Sequence, residues 1–287
     1  MIGKSSKEVL SKFGEPARKD LSSYGYEWWI YNENDEKYMQ VAVENNKIVS
    51  IFALGSDLNI APFSIGQGVD QLFKQFNLDT TIDISWQGNS YRFELSEEDL
   101  GVRPLIKVGD AYAQVYIDRF TNRISSVRFL TKEQLIKQRP FELVYRGELP
   151  LEKELTDEEW KLVESGDQQQ IFDITNIIRK KFNLSPVQWD EATAEVALLH
   201  SQDMFDKNYF SHVSPTNGDL GDRLKKGKVP FSVAGENIAA KYVDGIAAVE
   251  GWLNSKGHRE TMLNDEFTHL GVGVYHKYYT QNFIKEM

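Results

Sequence analysis

The stretch VALLHSQDMFDKNYFSHVSPTNGD, residues 196–219, joins a helical pattern to a loop and decides the fold of the C-terminal half of the chain. Its first part continues an apolar stripe with helical spacing that ends near Asn208. The stripe consists of Trp189, Ala192, Val196, Leu199 and Met204. The second part alternates aromatic, histidine and small polar residues. It raises the question of whether His212 only holds a loop together or does chemistry in a cleft.

The segments around this stretch predict further helices and a small sheet. Residues 171–182 place apolar side chains on one helical stripe, and residues 245–255 form another. A short helix is expected near His258, and the segment FTHLGVGVYHKYYTQNF (267–283) alternates as two strands do. The sequence therefore predicts an α+β domain over residues 168–287, with helices covering a small sheet.

Histidine and carboxylate residues in this domain are candidates for chemistry. All five histidines lie between residues 200 and 276, and Glu236 lies between His212 and His258. Imidazole and carboxylate groups together suit zinc ligation or proton transfer near neutral pH. The chain has no HExxH motif, since the segment that starts at His258 has methionine at its fifth position. Spacing alone therefore leaves both kinds of chemistry open.

Five motifs in this region resemble, in the same order, the signatures of the CAP superfamily of cysteine-rich secretory, antigen 5 and pathogenesis-related proteins. The motifs are NYFSHVSPTNGD, AGENIA, AVEGWLNSKGHRETML, FTHLGVGVY and YYTQNF. The region before them is similar to the CAP-associated N-terminal domain of exported Bacillus-type proteins. The resemblance implies an α-β-α sandwich with a central cleft over residues 168–287.

The resemblance also implies which side chains line that cleft. The family typically has two histidines and two acidic residues there, and the matching positions are His212, Glu236 and His258. The fourth position, three residues after the motif tryptophan, holds Ser255 instead of an acid. Glu250 lies on the flank of the same helix, and whether it replaces the missing acid stays open. Asn237 and Ser255 can supply only neutral hydrogen bonds, and Tyr279 and Gln281 are expected on the cleft floor.

The remaining polar residues have structural interpretations. His200 is expected in the core of the first helix, His269 near a strand start and His276 on an exposed strand. A basic loop is expected to be a solvated face; it consists of Arg223, Lys225, Lys226 and Lys228. Ser211 and Ser214 would need a base and an orienting acid to become nucleophiles, and the sequence does not establish that arrangement.

Residues 1–135 are predicted to form a separate domain built from an internal repeat. Each unit, about 1–57 and 63–131, gives a helix followed by about three antiparallel strands. The segment 26–32 is matched with 91–96, and the hairpin at 38–53 with that at 112–130.

Residues 136–167 are predicted to be a charged connector between the two domains. Thr156 and Glu159 form a capping box there, at the start of a helix. The whole chain is therefore predicted to be α+β, with a duplicated helix-plus-strands module before the CAP sandwich.

Composition excludes several classes of protein. The chain of 287 residues has a formal charge of −10, which does not favour binding to the phosphate backbone of nucleic acids. It has no cysteine, so disulfides, cysteine nucleophiles and thiolate metal sites are excluded. No transmembrane segment or signal peptide is expected from the sequence given. An extracellular or cell-envelope location is implied only by the resemblance.

Three functions are compatible with these observations. The first is a binding protein of a Gram-positive cell envelope that recognises an unidentified ligand, such as a cell-wall component or a protein, through the His/Glu-lined cleft. The second is a hydrolase or protease that uses zinc or another divalent metal held by His212, His258 and Glu236. The third is lipid carriage, as suggested for eukaryotic relatives.

Overall fold

The computed structural model describes residues 1–151 and 153–287. The described chain divides into two compact units, Met1–Glu159 and Trp160–Met287. Each unit has its own β-sheets.

The first unit is rich in antiparallel strands. Its helices are α1 (Ser6–Phe13), α2 (Val69–Gln75), α3 (Glu97–Val102) and α4 (Lys132–Gln138). Its strands are β1 (Arg18–Leu21), β2 (Glu27–Tyr31), β3 (Met39–Glu44), β4 (Lys47–Ala53), β5 (Thr81–Trp86), β6 (Asn89–Glu94), β7 (Leu105–Val108), β8 (Ala111–Asp118), β9 (Arg123–Leu130) and β10 (Glu142–Arg146). Seven strands form one sheet in the order β1-β2-β3-β4-β9-β8-β7, and a second sheet has the order β10-β6-β5.

One local backbone pattern occurs twice in the first unit, beside its seven-stranded sheet. The backbone N–H of Gly3 donates to the carbonyl of Ile48 at 2.8 Å, and that of Gly66 donates to Ile124 at 2.8 Å. Both glycines have positive φ, 80° and 82°, and each precedes the helix of its repeat. The two repeats meet where β4 pairs with β9. The same local pattern therefore recurs at the same place in each repeat.

One strand match differs from the sequence prediction. Strand β6, which contains most of the segment 91–96, lies in the three-stranded sheet beside β10. The counterpart of β2 is β7, since β2 borders the first hairpin and β7 borders the second. The hairpin β5–β6 and helix α3 are inserted between α2 and β7. Alternation identifies a strand but does not say which sheet it joins.

Part of the expected connector folds into the first unit. Strand β10 pairs with β6, with Leu143 opposite Phe93. Phe141 is buried in the same core cluster as Phe93. Further along the connector, Thr156 and Glu159 form the expected reciprocal bonds, at 3.0 and 3.2 Å.

The second unit is a layered arrangement of helices on a mostly antiparallel sheet. Its helices are α5 (Asp157–Lys181), which begins at the end of the first unit, α6 (Glu191–Asp206), α7 (Leu220–Lys226), α8 (Gly245–Leu253) and α9 (Lys256–Met262). Its strands are β11 (Gln188–Trp189), β12 (Val233–Ala240), β13 (His269–Tyr275) and β14 (Tyr278–Lys285), in the sheet order β11-β13-β14-β12. The domain start expected at residue 168 lies inside α5.

Helices cover both faces of this sheet. On one face, a Cβ atom added to Gly273 of β13 would lie 1.9 Å from the backbone nitrogen of Leu198, so α6 packs directly on the strand. On the other face, Gln281 Nε2 donates to Thr175 Oγ1 of α5 at 2.8 Å. Because side chains alternate along a strand, Glu236 points to the face of α6 and Asn237 to the face of α5. The result is the expected α-β-α sandwich.

Candidate functional site

The loop after α6 is held in place by Asp203. One carboxylate oxygen accepts hydrogen bonds from the hydroxyls of Tyr209 and Ser214, and the other accepts from the Lys207 ammonium. Burial alone would raise the pKa of Asp203, but the bonds from Lys207, Tyr209 and Ser214 outweigh it and lower the pKa to about 2. The loop that carries His212 therefore has a fixed, charged anchor.

Glu236 lies in β12 with its side chain only 3% exposed, and both of its oxygens are engaged. Oε2 accepts from the Arg223 guanidinium, and Oε1 is 2.9 Å from Nδ1 of His212. Because a carboxylate only accepts hydrogen bonds, His212 carries its hydrogen on Nδ1. The His212 side chain is 54% exposed, so its Nε2 edge is the accessible part of this pair.

Arg223 corrects the expectation of a solvated basic loop. It lies in α7, which begins with a capping box between Asp219 and Asp222, and it is 5% exposed. Its guanidinium also donates to the carbonyls of His212 at 2.8 Å and Gly218 at 3.0 Å. Helix α7 turns Arg223 inward, whereas the lysines of the same segment are exposed. A run of basic residues does not show which one faces inward until the helix phase is known.

His200 lies beneath the same carboxylate. It is buried as expected, and its Nε2 is 3.1 Å from the carbonyl of Ser211 and 3.9 Å from Oε1 of Glu236. Burial lowers the pKa of His200, and the charge of Glu236 opposes that effect. His200 therefore supports the loop from below as a neutral imidazole. Leu199, expected on the inner stripe, is 54% exposed.

His258 lies in α9 and is the second accessible imidazole. Its Nδ1 is 2.8 Å from Oγ of Ser255, the N-cap residue of α9. Burial and the charge of nearby His212 both lower the pKa of His258, so the two imidazoles interact electrostatically. Ser255, at the position where the family usually has an acid, thus gives His258 a neutral hydrogen bond.

The structure places the expected floor residues beneath the cleft surface. Asn237, Tyr279 and Gln281 are all fully buried. Asn237 Nδ2 donates to the carbonyl of His258 at 3.0 Å and to Oε1 of Gln281 at 3.2 Å. These residues lie on the sheet face covered by α5, α8 and α9. Asn237 therefore holds α9 through its backbone, and Gln281 supports Asn237.

Glu250, left open as a replacement for the missing acid, is 2% exposed. Its charge interacts with Lys181 of α5. Helix α8 packs against α5 at its start, where a Cβ on Gly245 would lie 2.9 Å from Ile171. We therefore assign the Glu250 carboxylate to the contact between α8 and α5.

A pocket of about 590 Å³ lies between the His212 loop, the end of β12 and the helices α8 and α9. This volume is within the range of small-molecule sites. The pocket is lined by Asn208, Tyr209, Phe210, Ile238, Ala239, Ala240, Lys241, Tyr242, Gly251, Trp252, Ser255, His258 and Tyr278. It therefore extends from His258 along an aromatic wall that the sequence analysis did not identify.

The three expected metal ligands do not form a ligand set. Over residues 1–151 and 153–287, no group of three His, Asp or Glu side chains is arranged to hold a metal ion. Glu236 is paired with the guanidinium of Arg223 and with His212, which leaves two imidazole edges as donors. Catalytic zinc sites use three protein ligands, so this donor set does not fit one.

Ser211, Ser214, His269 and His276 have hydrogen-bond or stacking partners of their own. Ser214 is 3% exposed and donates to Asp203 at 2.7 Å, and the Ser211 hydroxyl accepts from the Val213 backbone. His269 contacts Thr268 at 2.9 Å. His276, expected on a strand, lies in the turn between β13 and β14 with φ 42° and stacks on Phe205.

Two family matches cover most of the chain. The description "CAP-associated N-terminal" applies to residues 2–141, and "Cysteine-rich secretory protein family" applies to residues 172–285. In the described part of the chain, no helix is both long and apolar enough to cross a membrane.

Named relatives support both matches. The chain is 53% identical over 284 residues to the uncharacterized membrane protein YlbC of Bacillus subtilis, covering 99% of this chain and 82% of that protein. It is 43% identical over 122 residues to the uncharacterized protein YkwD of the same organism, covering 42% of this chain and 48% of that protein.

Solved structures agree with the fold over the full length. An extracellular protein with an SCP domain from Bacillus anthracis superposes with a TM-score of 0.96 at 49% identity, covering 100% of this chain and 94% of that one. A cysteine-rich secretory protein from Staphylococcus aureus superposes with a TM-score of 0.88 at 29% identity, and the match covers 99% of this chain and 94% of that one. The predicted α+β class is confirmed, and the chain belongs to the CAP, or cysteine-rich secretory protein, family with a CAP-associated N-terminal domain.

Proposed function

We propose that the protein is an extracellular or cell-envelope binding protein that holds its ligand in the cleft between His212 and His258. The observation that carries this proposal is the state of Glu236. Its two oxygens are engaged by Arg223 and His212, and the side chain is 3% exposed. A carboxylate held in this way orients an imidazole and is poorly placed to ligate a metal or to accept a proton from water.

The groups left at the surface are suited to recognition. His212 presents Nε2 to solvent and His258 lies at one end of the pocket. Hydrolysis through an acyl or glycosyl enzyme would need a nucleophile beside one of these imidazoles. Ser214 is buried and donates to Asp203, so it does not fill that role. Ser255 lies 2.8 Å from Nδ1 of His258, but the charged group that acts on this imidazole is His212 and not a carboxylate that could orient it as a base. The two imidazoles are therefore better suited to hydrogen bonding than to nucleophilic catalysis.

The location is supported by the relatives. The similar Bacillus anthracis protein is described as extracellular, and the similar Bacillus subtilis protein as a membrane protein. Both descriptions are compatible with a chain that works at or outside the cell membrane, where cell-wall material is a ligand that it could meet. The closeness of these relatives, 49% and 53% identity, makes the same location the best proposal for this chain.

Co-sedimentation with purified Gram-positive cell walls tests this function. We expect the wild-type chain to sediment with the walls and the double variant His212→Ala/His258→Ala to stay in solution. His269→Ala is the matched control, because His269 lies outside the cleft, and it should sediment like the wild type. Equal sedimentation of the double variant would show that the cleft is not the binding site.

The same samples test the hydrolase alternative. The supernatants are assayed for new reducing ends and free amino groups, with and without a chelator. We expect none to be released. Release of these products by the wild type, if the double variant or the chelator abolishes it, would show that the cleft carries out metal-dependent hydrolysis. That result would overturn the binding proposal.

Zinc titration gives a second check on the donor set. Because two imidazoles and no free carboxylate remain, we expect no zinc binding with a Kd of about 1 μM or tighter by isothermal calorimetry. Tight binding that disappears in the double variant would contradict our assignment of Glu236.

A further inference from the structure

The pocket beside His258 has an unusual aromatic composition. Its lining includes the rings of Tyr209, Phe210, Tyr242, Trp252 and Tyr278. Trp252 is buried and donates its Nε1–H to the carbonyl of Ile238 at 3.0 Å, so it forms part of the base. The Phe210 side chain is 54% exposed, and the tyrosines are partly exposed. Open aromatic faces therefore surround the entrance.

These rings are held in fixed positions. Tyr209 donates to the buried Asp203 carboxylate, which anchors the loop that also carries Phe210. Tyr242 lies against Gly251 of α8, where an added Cβ would approach the Tyr242 hydroxyl to 2.4 Å. The absence of a side chain at Gly251 therefore makes room for that ring. Rigid aromatic groups bind with little loss of conformational entropy.

The charge of the pocket is nearly neutral. Lys241 at the rim is the only lysine or arginine among the described lining residues, and that lining contains no carboxylate. Phosphate and carboxylate groups are usually recognised by Arg clusters or several cations. Acyl chains favour aliphatic walls, whereas here the aliphatic residues are limited to Ile238 and two alanines. An uncharged ligand with both apolar and polar faces fits the lining best.

The polar groups at the His258 end suit hydroxyl ligands. Nδ1 of His212 bonds to Glu236, so Nε2 is its ring nitrogen left for a hydrogen bond with a ligand. Ser255 makes no capping bond with its hydroxyl, which leaves that hydroxyl for His258 Nδ1. Because Nδ1 of His258 bonds to Ser255, Nε2 is its ring nitrogen left for a ligand. A hydroxyl group both donates and accepts, so it can pair with an imidazole in either tautomer.

We propose that the pocket lined by Phe210, Tyr242 and Tyr278 and bounded by His258 binds a neutral oligosaccharide. A sugar ring presents C–H groups on its faces, which pack on electron-rich aromatic rings, and hydroxyls on its edges, which need donors and acceptors. This proposal rests on the proposed binding function and names its ligand class.

Calorimetric titration of the whole chain with soluble sugars tests the proposal. The probes are the β-1,4-linked tetramers of N-acetylglucosamine and of glucose, and an acetylated tetra-alanine peptide serves as the competing class. We expect at least one sugar to bind with a Kd of about 1 mM or tighter and the peptide not to bind. Phe210→Ala should weaken sugar binding about tenfold, because it removes an exposed ring from the entrance.

Two matched variants complete the experiment. Phe73→Ala removes an exposed aromatic residue of the first unit, 46% exposed, and should leave binding unchanged. Lys241→Gln removes the positive charge of the lining and keeps a polar side chain there, so it should weaken sugar binding by much less than Phe210→Ala does, since a neutral ligand makes no ion pair. Loss of binding in Lys241→Gln with no effect of Phe210→Ala would overturn the proposal in favour of an anion site. Peptide binding without sugar binding would overturn it in favour of a peptide site.

Failure of the sugar proposal is distinguishable from failure of the proposed function. If neither sugar binds but walls still retain the chain through His212 and His258, the cleft is a binding site for another ligand class. If no sugar binds and binding to the walls does not depend on these histidines, both proposals fail.

Discussion

The two units of this chain use different means to build structure. In the first unit one local plan recurs, with Gly3 and Gly66 making the same backbone bond in each repeat. In the second unit a buried ion pair between Arg223 and Glu236 joins α7 to an edge strand and holds the loop of His212. All five histidines are in the second unit. The difference teaches that the first unit depends on local backbone geometry, and the site on charges brought together by folding.

The largest expected effect comes from breaking the ion pair. Arg223→Met leaves the Glu236 carboxylate buried without its cation, which should lower the free energy of unfolding of the second unit by about 3–5 kcal/mol. Hydrogen exchange followed by mass spectrometry reports each unit separately. Peptides of the first unit should keep their protection.

The double variant Arg223→Met/Glu236→Gln sharpens this result. Removing both charges should recover part of the loss, because a buried pair replaced by neutral groups is often tolerated. An equal loss in the single and double variants would mean that packing, and not charge, makes Arg223 important.

A smaller effect is expected at the loop anchor. The pKa of Asp203 falls from 3.8 to about 2, so its ionised form contributes about 2 kcal/mol. That contribution is present above about pH 3.8 and is lost as pH falls towards about 2. Asp203→Asn should lower the free energy of unfolding by a similar amount at neutral pH, which chemical denaturation measures. It should also speed up amide hydrogen exchange in residues 208–214. Unchanged exchange there would show that the loop does not need this anchor.

The repeat can be tested with matched glycine variants. Gly3→Ala and Gly66→Ala each place a Cβ at positive φ, where no heavy atom within 4 Å would be met. Each substitution should therefore lower the free energy of unfolding only by the cost of a positive φ for alanine, about 1 kcal/mol. Thermal unfolding measures this change. Clearly unequal costs would show that the backbone turns preceding α1 and α2 are not equivalent.

A gentler perturbation is a change of pH. Burial lowers the pKa of His200 and His258, so below about pH 6.5 the unfolded chain takes up protons that the folded chain resists. The second unit should therefore be fully stable above about pH 6.5 and lose stability below it, while the first unit, which has no histidine, lacks this contribution.

Hydrogen exchange at about pH 7.5 and about pH 5.5, corrected for intrinsic rates, measures this difference. Burial raises the pKa of Glu164, which acts in the opposite direction, so the comparison is made in a Glu164→Gln background. A fall in the protection of the first unit equal to that of the second would contradict this origin of the pH dependence.

Much of the fold could be predicted from the sequence because its signals are local. Apolar periodicity gave α5, α6 and α8, alternation gave β13 and β14, and turn residues marked the hairpins of the repeat. Strand β12 was missed because AGENIAA has no clear alternation. Its position in the sheet comes from pairing with β14, which is a tertiary contact.

The site was predictable only in part. The motifs made His212, Glu236 and His258 candidates, which stays a prediction, and the residues that position them in the structure could not be inferred from the motifs. Arg223 looked like one member of a basic run, and its role depends on the phase of α7 and on a partner 13 residues away. The aromatic pocket was missed because its rings come from four separate segments of the chain.

The pairing of β4 with β9 has a consequence for the origin of the first unit. Ile48 and Ile124 occupy equivalent places in the two repeats, so Phe52 is equivalent to Arg128, and these two residues face each other across the junction. The repeats are thus related by a local twofold axis through that pair. A polypeptide with only one repeat would expose this strand as an open edge, and a second copy would be its natural cover. Two separate copies of one repeat could therefore form the same antiparallel pairing that the single chain forms between β4 and β9.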